Sequence, residues 1–136
     1  MQLPSSEEIV EDLAFFDDWE QRYQFIIDLG KQIPGLSEDA RTPDKLVKGC
    51  QSNVWLDYHT EDGKFQFDVD SDALIVNGLL VIVLSAYNDK SAKDILSFDM
   101  DAYFKQIDLE RHITPTRGNG LRAIVGKIRQ LASEAR

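Results

Sequence analysis

The chain has 136 residues, 43% of them hydrophobic and 29% charged, and its 15 Lys and Arg against 24 Asp and Glu give a formal net charge of -9. A chain of this size and composition can build one compact domain with its own core. The acidic balance argues against nucleic acid and anionic membrane surfaces, both of which are bound through clustered cations.

The N-terminal segment carries Glu7, Glu8, Glu11 and Asp12 where a signal peptide needs an apolar run, so no export signal is expected. The longest apolar stretch, Leu79 to Tyr87, is far too short to cross a bilayer. One cysteine cannot form an internal disulfide, which makes a reducing cytoplasm the expected compartment.

Two helices are expected in the first forty residues. Ser5 and Glu8 have the spacing of a capping box ahead of Ile9, Leu13 and Phe16. Asp17 or Asp18 can cap a second helix with Trp19, Tyr23, Ile26 and Ile27 on its apolar side, stopped by Gly30 and Pro34. The polar stretch from Ser37 to Gly49 reads as irregular. From Asn53 the period changes to two, with Val54, Leu56 and Tyr58 on one face of a strand and Trp55, Asp57 and His59 on the other. Glu61-Asp62-Gly63 is a hairpin turn signal, and Phe65, Phe67 and Val69 alternate beyond it.

The run from Ser71 to Asn88 is apolar on nearly every side, so periodicity leaves its state open. Its length favours a buried helix, opened by Ser71 or Asp72, over a strand. Ser91 and Asp101 can each open a short helix. Thr114 or Thr116 precedes a last helix with Leu121, Ile124, Val125, Ile128 and Leu131 at helical spacing. The expected fold is therefore α+β, a small antiparallel sheet packed against several helices in a single domain over 1–136.

Chemistry centres on Cys50. Taken alone, a single cysteine is more often a small core residue than a reactive one. Here it lies just before a strand among polar neighbours, after Gly49 and ahead of Gln51 and Ser52, and Lys45 and Lys48 could favour its thiolate. His59 and His112 are the bases a Cys-His hydrolase would need. His59 is nine residues along an extended chain, ~30 Å from Cys50 at ordinary strand rise, whereas spacing does not remove His112. One Cys and two scattered His give no recognisable metal-ligand spacing. "TPTRGNG", Thr114 to Gly120, lacks the lysine of a phosphate-binding loop, though Arg117 is notable as an exposed cation in an acidic chain.

Four blocks carry a resemblance: "WEQRYQFIIDLGKQIPGL", "GCQSNVW", "SDALIVNGLL" and "HITPTRGNGLRAI". In this order they resemble the SufE family of sulfur-acceptor proteins, with its CsdE branch. The resemblance implies a fold like that of the U-type cluster scaffolds. It also implies an accessory protein in place of a free-standing enzyme, with no cofactor or metal of its own. A pyridoxal-phosphate cysteine desulfurase, of SufS or CsdA type, would place persulfide sulfur on Cys50 and be stimulated in the process. The sulfur would then pass to an iron–sulfur scaffold or another acceptor. Gly49, Gln51 and Ser52 would support the loop, and Asp72 and Arg117 match family positions near the loop and the partner surface. In the family the resting cysteine turns toward an apolar cavity, so the loop must swing outward to meet its partner. A monomer and a homodimer are both compatible with the sequence. The competing reading is an independent cysteine-dependent hydrolase or thiol redox enzyme.

Overall fold

The computed structural model describes residues 3–48, 52–109, 111 and 113–135. Two helices come first, α1 (Ser6–Phe15) and α2 (Trp19–Gly30). Two single 3-10 turns follow, over Glu38–Ala40 and Pro43–Lys45. Strands β1 (Val54–Glu61) and β2 (Lys64–Ser71) lead into α3 (Leu74–Tyr87), and the two-residue strand β3 (Lys90–Ser91) runs directly into α4 (Ala92–Ser97). Helices α5 (Met100–Gln106) and α6 (Pro115–Ala135) complete the chain. This is a single α+β domain.

The helix starts are fixed by side chains. The Ser5 hydroxyl accepts from the Glu8 N–H at 3.1 Å, and the Asp18 carboxylate accepts from the Gln21 N–H at 2.8 Å. Each satisfies a donor that the first turn would otherwise leave unpaired. Ser91 caps α4 as expected. Asp99, and not Asp101, caps α5, because the helix begins one residue after Asp99 and leaves Asp101 inside the first turn.

The sheet is antiparallel in the order β1-β2-β3. Asp62 and Gly63 form the two-residue hairpin loop with φ of 53° and 77°. Positive φ at both positions is what a turn matched to strand twist demands. Phe65, Phe67 and Val69 are buried as their alternation requires, and so are Val54 and Leu56. Tyr58 is not. It is 43% exposed, at the end of β1 where the strand's residues are all exposed, and its ring stacks on Phe65.

The core centres on α3. Val76 and every residue from Gly78 to Tyr87 are buried, which explains why its sequence shows no polar face. Helices α1, α2, α4 and α6 and strand β2 all contact it. Ser71 and Asp72 do not cap this helix. Its N-cap is Ala73, and Ser71 is instead the last residue of β2, where its hydroxyl receives the Ala73 N–H at 3.2 Å.

The buried face of α2 is formed by Ile26, Leu29 and Gly30, with Trp19, Tyr23 and Ile27 only partly covered. Gly30 meets Gly78 there, so the two helices approach backbone to backbone. The Tyr103 hydroxyl, 2.9 Å from the Ser85 hydroxyl and donating to the Ile82 carbonyl at 3.2 Å, ties α5 to α3 two turns beyond Gly78. Burial raises the Tyr103 phenol well above its ordinary pKa, so this network stays neutral and structural.

Candidate functional site

The stretch that carries Cys50 is entered and left by two anchored segments. Upstream, the Val47 N–H donates to the Val54 carbonyl at 2.8 Å, and Leu46 makes an isolated antiparallel bridge to Trp55. The chain before the cysteine therefore lies along the start of β1. Residues 37–48, expected to be irregular, are in fact held in place by this bridge and by the two 3-10 turns.

Behind the bridge stands an ion pair with a buried carboxylate and a partly exposed guanidinium, which the sequence did not reveal. Asp70 is only 5% exposed. One of its carboxylate oxygens accepts from Arg41 Nε at 2.9 Å, Arg41 Nη2 at 2.6 Å and the Leu36 N–H at 3.0 Å, and the other accepts from the Ser71 N–H at 2.9 Å. The Arg41 guanidinium lies 4.9 Å from the centre of the Trp55 ring. A buried carboxylate is tolerable only when satisfied in this manner. Here the satisfaction ties residues 36–41 to β2 and to the start of β1. Arg41 and Asp70 are 29 positions apart, and neither sits in a motif that announces the other.

Downstream, the Ser71 hydroxyl donates to the Asn53 carbonyl at 2.8 Å, and Asn53 Nδ2 donates to the Asp72 carboxylate at 3.0 Å. Asp72 is thus joined to the residue that leads into β1. Ser52 and Arg117 meet at a small cleft of ≈ 20 Å³, otherwise lined by Val54, Val76, Leu79, Gly120, Leu121 and Ile124. Its walls come from β1, α3 and the first turns of α6. The Thr114 hydroxyl, accepting from the Arg117 N–H at 3.2 Å, starts that helix. Arg117, expected to be exposed, is half-buried because it lines this cleft.

Of the expected site residues, Ser52, Asp72 and Arg117 are therefore brought to one end of β1. Gly49, Cys50 and Gln51 lie outside the described residues, as does His112. His59 is placed at the other end of β1, paired with Gln66 next to the hairpin turn and 3.5 Å from the Glu61 carboxylate. It is five residues from Val54, or about 17 Å along the strand. Among the described residues no group of three or more His, Cys, Asp or Glu is placed to hold a metal ion. None of their helices is long and apolar enough to cross a membrane.

The single α+β domain carries a cleft where β1, α3 and the last helix meet, and its lining includes Ser52, two residues after the one cysteine in sequence. Residues 7–132 match the SufE family, described as an Fe-S metabolism associated domain, and the chain belongs to that family. It is 44% identical over 134 residues to an uncharacterised SufE-like protein of Rhizobium etli, covering 96% of this chain and 90% of that one. A second uncharacterised SufE-like protein, from Rhizobium meliloti, is 42% identical over 137 residues, covering 98% and 96%. The solution structure of a hypothetical protein from Thermus thermophilus superposes with a TM-score of 0.77 over 98% of each chain, at 18% identity. That likeness concerns the fold.

Proposed function

We propose that this protein accepts sulfane sulfur on Cys50 from a pyridoxal-phosphate cysteine desulfurase, stimulates that enzyme, and hands the sulfur on for iron–sulfur cluster assembly. Family membership supports the sulfur-acceptor role. The observation that carries the residue assignment is the apolar cleft at the start of β1, lined by Ser52 two residues beyond the cysteine. A cavity of this size admits about one small group, and a resting thiol shielded from water and oxidant is what a persulfide carrier requires.

In the transfer the Cys50 thiolate attacks the outer sulfur of the donor persulfide. A new S–S bond forms on Cys50, the donor S–S bond breaks, and the donor cysteine leaves as its thiolate. The exchange consumes no oxidant, needs no metal and calls for no histidine. The remoteness of His59 is therefore no obstacle. Gly49, Gln51 and Ser52 support the presenting loop. Asp72 holds its downstream stem through Asn53, and Arg117 lines the cleft together with Ser52.

Sulfide release by the desulfurase, in the presence of a reductant, tests the stimulation. Added wild-type chain should raise the turnover several-fold, because the enzyme's own persulfide is cleared by exchange. Cys50→Ser should raise it not at all while unfolding at the same temperature as the wild type. Equal stimulation by both chains would remove Cys50 from the reaction.

A further inference from the structure

A second concavity, a groove of ≈ 530 Å³, is lined by residues 43–48 together with Leu56 of β1 and Ala123, Lys127 and Gln130 of α6. Its floor is apolar, formed by Leu46, Leu56 and Ala123, and Lys45, Lys48 and Lys127 stand around it. The two concavities share α6. Gly120 and Ile124 line the cleft, and Ala123 and Lys127, displaced by three residues and four apart from each other, line the groove. They also share the buried face of β1, with Val54 in the cleft and Leu56 in the groove. Lys48 borders one and Ser52 the other, and Cys50 lies midway between them in sequence.

The sign of charge here is opposite to that of the molecule, whose formal net charge is -9. Lys48 and Lys127 are exposed, and Leu46 presents 39% of its surface. Lys45 is already 3.2 Å from the Asp57 carboxylate, and Asp44 stands at the rim. These acids make a poor home for a concentrated phosphate charge, and the ammonium groups surround the floor without the forked donors that bind phosphate in two places. An apolar floor framed by spaced cations suits instead a peptide segment that presents a large apolar side chain between carboxylates.

We propose that this groove docks an acidic, apolar-anchored surface segment of the cysteine desulfurase, and so brings the donor persulfide to the root of the Cys50 stretch. The inference rests on the sulfur-acceptor reading and adds the surface and the chemistry of its partner. Because the protein as a whole repels acidic surfaces, such a segment would be recognised at this groove in preference to the rest of the surface, which gives orientation as well as affinity.

Lys127→Glu tests it. Lys127 is exposed on α6 and is spared the ambiguity of Lys48, which lies close to the thiol in sequence. The partner in the assay is a desulfurase that loads the wild-type chain. Its dissociation constant should rise about ten-fold or more for Lys127→Glu. Lys127→Arg should bind like the wild type. Lys64→Glu, at the hairpin end of β2, makes the same change in net charge and should alter the constant less than about two-fold, as a remote exposed charge does at physiological salt. Loading of Cys50 by a small-molecule persulfide donor should be the same in all four chains.

Equal effects of Lys127→Glu and Lys64→Glu would overturn the groove proposal, since only overall charge would then be at work. Unchanged binding by Lys127→Glu, or a loss confined to the later handover of sulfur, would overturn it too. In each of these outcomes the wild-type chain still takes sulfur from the desulfurase, and the acceptor reading stands. A wild-type chain that took none from any desulfurase would defeat both.

Discussion

Gly78→Ala should lower the unfolding temperature by about 10 °C or more, corresponding to roughly 3 kcal/mol in a chain of this length. A Cβ at Gly78 would lie 1.9 Å from the Ile26 carbonyl oxygen and 2.6 Å from its carbonyl carbon. One at Gly30 would lie 2.6 Å from the Gly78 nitrogen. These neighbours are backbone atoms of α2 and α3, so no side-chain rotation can relieve the contact and the helices must separate. Alanine is the better helix former by about 1 kcal/mol, but overpacking of a close contact costs about 1–3 kcal/mol and more where backbone must move. The clash decides the sign. At Gly126, in α6, a Cβ would meet nothing within 4 Å, and Gly126→Ala should hold or raise stability. Circular dichroism melts of the two variants check the pair of expectations. A Gly78→Ala chain as stable as the wild type would mean that α2 and α3 are not locked together by this contact.

Asp70→Ala should cost about 3 kcal/mol through the backbone donors it strands, and Arg41→Ala should cost less. Removing the carboxylate strands a partly covered guanidinium and two backbone donors, those of Leu36 and Ser71, that it now satisfies. Removing Arg41, whose side chain is 35% exposed, leaves Asp70 with both backbone partners. The double variant should be little worse than Asp70→Ala alone, because most of the Arg41 contribution passes through that carboxylate. Denaturant midpoints of the four chains give the coupling directly. Fully additive losses would mean that Arg41 acts mainly by its stacking on Trp55.

How far each feature could be read from the sequence follows from how local its cause is. The caps at Ser5 and Asp18 and the Asp62-Gly63 turn depend on residues three or four apart, and each is present as expected. The helix over Leu74–Tyr87 carried no periodicity because it is buried on all sides from Gly78 onward, and only its length identified it. Its start was misplaced for a reason of tertiary structure: Ser71 is still engaged in the sheet, opposite Val54. Strand β3 has two residues and exists by pairing with Lys64 and Phe65, so nothing in its own sequence marks it.

The site shows the same division. Ser52, Asp72 and Arg117 were named through the family resemblance, and they converge on the start of β1. Arg41 and Asp70 were missed, since a pair 29 residues apart with no flanking motif becomes visible only when the sheet places it. The basic groove was missed because Lys45 and Lys48 come from one segment and Lys127 from the last helix, while the summed charge of the chain points the other way.

The central claim is that Cys50 carries the sulfur. Its most direct test is intact-protein mass spectrometry after incubation with a cysteine desulfurase and L-cysteine, followed by peptide mapping. The account predicts additions of ~32 Da per sulfur, removed by reductant as thiol–persulfide exchange requires, located on the peptide containing Cys50 and absent from Cys50→Ser. A wild-type chain that gains no reducible sulfur from any desulfurase, or a Cys50→Ser chain that gains as much, would contradict it.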